Sequence, residues 1–136
     1  MLDIKKLNQA LEIIVKKRTE IYSMSFDSKG YDDLEEELMD LEDDFMETYG
    51  DFVEDGVAEV YEQFGLDDEV LSAVSYIGRH YQITDGNKYG ISAKQGLPID
   101  TPDEPNVNLR IILLPSPVRI FAIVGNKAQE AWRFEK

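Results

Sequence analysis

The spacing of apolar residues changes once along this chain, and that change constrains the fold more than any other feature. Through residues 1–66 they recur every three or four positions, whereas the later part carries short apolar blocks bounded by proline and glycine. A three-to-four spacing lines one face of a helix, and a spacing of two lines one face of a strand. Helices first and strands second predicts an α+β fold: an N-terminal antiparallel helical hairpin, a short helix, then a four- to five-stranded antiparallel meander sheet. The helical part covers residues 1–66 and the mainly sheet part residues 67–136. With no internal repeat or linker-like tract, 136 residues fit one domain.

In the first helix Ile4, Leu7, Leu11, Ile14, Val15, Ile21 and Tyr22 share a face, and the turn-rich residues 23–30 end it. The second helix is expected to begin near Tyr31 with Asp32 and Asp33 at its positive end. Its stripe runs through Leu34, Leu38, Leu41, Phe45, Tyr49, Phe52 and Val53, then Val57, Val60, Tyr61 and Phe64 up to Gly65. Gly50 and Gly56 each weaken a helix interior by about 1 kcal/mol, which predicts a bend or short break between them. Asp67 and Asp68 suit a further helix start, and residues 70–81 are read as a short helix giving way to a strand over 76–84.

Strands are expected over residues 89–94, 109–114, 118–124 and 128–134, with 95–106 as a proline-containing loop. The two central strands are apolar on both faces, so both faces must be covered, by helices or by a second copy of the chain. A homodimer is therefore one expectation. Trp132 and Phe134 are read as core residues sharing a strand face with Glu130.

Charge narrows the function. The net charge is −14, and residues 27–69 hold 19 carboxylates against the single base Lys29, a balance of −18. The remainder carries 9 carboxylates and 13 bases, or +4. Such a surface repels nucleic-acid backbones and anionic membranes, so neither is expected as a direct partner. The Met1-Leu2-Asp3-Ile4-Lys5-Lys6 start leads into an amphipathic pattern, unlike a secretory signal, and no apolar run approaches the roughly 18 residues of a membrane span. The absence of cysteine fits a reducing compartment, and a cytoplasmic protein is expected.

Within the acidic segment, Glu36, Asp40 and Asp44 recur at i, i+4, and Asp40, Asp43 and Glu47 are also near neighbours on a helix. Such like charges destabilise a helix by about a few tenths of a kcal/mol per pair. Lys16, Lys17 and Arg18 across the hairpin could offset them internally, and a basic protein partner could do so externally. A solvated face that only confers solubility is the plain alternative. Asp33, Glu36, Glu37, Asp40, Asp43, Asp44 and Glu47 form the candidate partner-binding set. A nucleic-acid-binding protein is one such partner, recognisable because polyanions would compete for it.

The remaining motifs point away from catalysis. Asp85-Gly86-Asn87-Lys88-Tyr89-Gly90 has calcium-loop spacing at three positions, but Tyr89 and Gly96 stand where oxygen ligands are needed, so a hairpin turn is expected. No Glu-x-x-His pair, phosphate-binding glycine pattern or Gly-x-Ser-x-Gly elbow occurs. No metal, cofactor or catalytic set is expected. His80 is the single histidine, and Arg79, His80 and Tyr81 form the alternative candidate, a small-ligand pocket between helices and sheet.

Overall fold

The computed structural model describes residues 3–25, 27–66, 69–84, 88–91, 95–99 and 108–134. Helix α1 spans Ile4–Tyr22 and helix α2 spans Tyr31–Gln63. The Asp3 carboxylate accepts from the backbone N–H groups of Lys5 and Lys6, satisfying donors that the first turn of α1 leaves free. Leu7, Leu11, Ile14 and Val15 bury the inner face of α1 against the core. Lys17 pairs with Glu37, and Arg18 with Glu42, joining the end of α1 to the first half of α2 as an antiparallel hairpin requires.

Helix α2 runs unbroken through Gly50 and Gly56, so of the expected bend or short break the break does not occur. Both glycines are buried, and Gly56 marks a close approach: a Cβ there would lie 2.4 Å from Cζ of Phe134 and 3.1 Å from Nε1 of Trp132. The missing side chain admits aromatic rings against the helix. Tertiary packing therefore overrides the local propensity cost.

After α2, the expected short helix is a single 3-10 turn, Ala73–Tyr76, and the strand expected from residue 76 starts only at Gln82. Side chains take the backbone groups that a helix or strand would need. Glu54 accepts from the N–H of Ala73, and the Tyr76 hydroxyl from that of Leu71. The N–H groups of Gly78, Arg79 and Tyr81 donate to Tyr81 Oη, Gln95 Oε1 and Thr19 Oγ1. Side-chain bonds to the backbone, two of them local and three from Glu54, Gln95 and Thr19 far along the chain, take the place of regular structure here. The expected helix start at Asp67-Asp68 and the turn at Asp85-Gly86-Asn87 lie outside the described residues.

Strands β1 (Gln82–Thr84) and β2 (Lys88–Gly90) form a separate antiparallel pair. Strands β3 (Leu97–Ile99), β4 (Leu109–Leu114), β5 (Arg119–Val124) and β6 (Lys127–Arg133) form a four-stranded antiparallel meander in that order. β3 falls inside the stretch read as a loop. It carries Pro98, which is compatible with pairing because β3 is an edge strand and the missing N–H can face away from β4. The other two prolines of that stretch, Pro102 and Pro105, lie outside the described residues.

Leu109, Ile111, Ile112, Leu113 and Leu114 are all buried, as are Ile120, Ala122 and Ile123, so both faces of the central strands are covered within one chain. The segment after the 3-10 turn lies close over β4: a Cβ on Gly78 would come within 2.8 Å of Ile112 Cδ1. A β-bulge in β6 pairs Ile120 with Trp132 but Phe121 with Glu130. The bulge places Trp132 and Glu130 on opposite faces, correcting the expectation of a shared one. Trp132 and Phe134 pack against the core as expected, and Phe134 lies 5.3 Å from the Phe52 ring.

Candidate functional site

Helix α2 sorts its side chains by face. Phe45 is buried, and Leu34, Leu38, Leu41 and Tyr49 are half-buried, all on the side toward α1 and the sheet. Asp33, Glu36, Glu37, Asp40, Asp43, Asp44 and Glu47 are all exposed. At 3.6 residues per turn these seven positions fall within an arc of about 120° and extend over about 21 Å of helix. The sequence spacing and the burial pattern therefore agree on a single acidic stripe.

Internal compensation reaches only its margin. Glu37 lies 2.8 Å from Lys17 Nζ. Among the described residues, the other six carboxylates have no Lys or Arg within ion-pair distance. The Arg18 guanidinium faces elsewhere: it bonds Glu42 at 2.6 Å and donates to the carbonyls of Ile77 and Val74, joining both helices to the 3-10 turn. Lys16 is exposed and takes part in no ion pair among the described residues. An open groove of ≈ 620 Å³, with Tyr22, Met24, Leu38 and Met39 among its lining residues, borders the stripe.

The three residues of the alternative pocket go to different places. Tyr81 is buried, and its hydroxyl donates to the Leu113 carbonyl at 2.6 Å while accepting from the Gly78 N–H at 2.8 Å. Burial pushes its pKa up, well above the ordinary tyrosine value. His80 is half-buried with its ring 5.0 Å from that of Tyr22. Arg79 is exposed and lines a recess beside the 3-10 turn and β3. Arg110, absent from the candidate sets read from sequence, lines the same recess. Its signal was present in the sequence: one arginine interrupts the otherwise apolar run of residues 109–114.

Among the described residues, no group of three or more His, Asp or Glu side chains is placed to hold a metal ion. No described helix is long and apolar enough to cross a membrane. No family model, curated protein or solved structure matches this chain.

Proposed function

We propose that this chain is a non-catalytic binding or regulatory module whose acidic α2 stripe engages a basic protein. The observation that carries the reading is the presence of six exposed carboxylates without cationic partners among the described residues, aligned on one face of a helix anchored by Phe45 and Val53. Repulsion between like charges at i, i+3 and i, i+4 is relieved when a cationic surface docks. The same field speeds and orients encounter with a basic partner. The groove beside the stripe offers Tyr22 and Met39 as exposed apolar contacts, so a partner with apolar side chains next to its basic ones fits best.

The reading includes action in the cytoplasm, consistent with a cysteine-free chain. A second copy is less suited as the principal partner, because two stripes of like charge repel and the central strands are already covered. Capture from a native cell lysate at low and moderate salt, with the wild type beside an Asp40→Asn/Asp43→Asn/Asp44→Asn variant, tests the proposal. Basic proteins retained by the wild type, released by salt and lost from the variant are expected. Partners indifferent both to salt and to these substitutions refute it.

A further inference from the structure

A second site of opposite sign lies beyond the stripe. The recess between the 3-10 turn, residues 77–79 and the β3–β4 edge has a volume of ≈ 510 Å³, within the range of small-molecule sites. Three arginines line it, Arg18, Arg79 and Arg110, and no described lining residue is an acid. Arg18 is already neutralised by Glu42. Arg79 and Arg110 have no carboxylate partner among the described residues, so the recess carries two uncompensated guanidinium charges in a chain of net charge −14.

Arg110 carries the strongest indication. Among the described residues its Nε is buried without a hydrogen-bond partner, and its Nη1 contacts the Gly96 carbonyl at 3.4 Å. Buried donors are normally satisfied, so the Arg110 guanidinium is under-bonded, and as a lining residue of the recess it can meet a ligand there through its Nη atoms. Gln95 adds a further donor. Its Oε1 accepts from the Arg79 N–H, and its amide nitrogen has no acceptor among the described residues. The Ser75 hydroxyl group also belongs to a lining residue.

We propose that this recess binds a small ligand through an oxyanion group, a carboxylate or a phosphate, held between the Arg79 and Arg110 guanidinium groups with Gln95 as an additional donor. Guanidinium forks match both groups in a planar, two-bond geometry. The surrounding negative charge does not forbid this, because fields of exposed charges are largely screened beyond roughly 8 Å at physiological salt. The recess shares Arg18, Tyr22 and Arg79 with the groove beside the stripe, but the anion is held by guanidinium groups and not by the stripe carboxylates, so anion binding to the chain alone can fail without the partner-binding reading failing.

The test is titration of the 15N-labelled full chain with inorganic phosphate and, separately, with acetate, at an ionic strength held constant with chloride. The arginine Nε–Hε signals are followed by NMR. A saturable shift of the Arg110 Nε–Hε signal is expected with at least one anion, and the responding anion identifies the chemical group. The shift is expected to weaken at least tenfold in apparent affinity in Arg79→Gln, whose exposed side chain makes no described contact needed for folding. Arg110→Gln should abolish binding read from the Arg79 signal. No saturable shift with either anion overturns the proposal. So does a shift that Arg79→Gln and Arg110→Gln both leave unchanged.

Discussion

Tyr81 shows how one side chain can replace a stretch of secondary structure. Its hydroxyl closes the Gly78 N–H and the Leu113 carbonyl at once, in a part of the core with no access to solvent. Tyr81→Phe keeps the ring and strands both partners. Each unpaired buried group costs about 1–3 kcal/mol, so urea denaturation should show a loss of about 2 kcal/mol or more. An unchanged midpoint would mean that this bond contributes nothing to holding the segment on β4. Alkali should act on the same residue. The folded chain holds the Tyr81 proton above the pKa of the unfolded chain, near 10, so stability is retained below that pH and lost as pH rises beyond it. One such group gives a slope of at most about 1.4 kcal/mol per pH unit. Denaturation curves collected through this range should fall more steeply for the wild type than for Tyr81→Phe.

At the scale of elements, α2 separates propensity from packing. A Cβ on Gly50 would lie 3.1 Å from Met46 Cε, a flexible end that can move aside, and at ordinary contact distances of 3.5 Å from Glu54 Oε2 and 3.6 Å from Met46 Sδ. Gly50→Ala should therefore gain up to about 1 kcal/mol. Gly56→Ala meets the Phe134 ring at 2.4 Å and should lose that gain, with altered Trp132 fluorescence as the aromatic cluster shifts. Equal effects at both positions in thermal denaturation would contradict the packing explanation for the unbroken helix. The two helices, β4 and most of β5 were legible because long apolar periodicity or a continuous apolar run identifies each of them. What was hidden depended on distant partners: Phe134 seated on Gly56, Glu54 capping Ala73, and Leu109 and Ile111 pairing with a strand that contains Pro98. The acidic stripe was legible for the opposite reason, since helical spacing alone fixes which carboxylates align. Arg110 shows in the sequence only as a break in an apolar run, and its significance comes from a recess assembled by the 3-10 turn and β3.

For the whole molecule, charge distribution is the feature that packing does not explain. If the stripe is strained by its own repulsion, Asp40→Asn/Asp43→Asn/Asp44→Asn should raise stability by about 1 kcal/mol at low ionic strength, through several relieved i, i+3 and i, i+4 pairs. The gain should shrink in about 0.5 M salt, where the Debye length falls to a few ångströms. A gain independent of salt would assign it to something other than repulsion. The decisive question is whether position matters or only net charge. A control variant, Asp55→Asn/Glu59→Gln/Glu62→Gln, removes the same charge from exposed residues near the other end of α2. The affinity of the captured basic partner should then be measured calorimetrically against wild type, stripe variant and control. With exposed pairs worth up to about 1 kcal/mol each, the stripe variant should weaken binding by roughly tenfold to a hundredfold, and the control by severalfold at most. Equal losses in the two variants, or no loss in either, would contradict a partner-binding stripe.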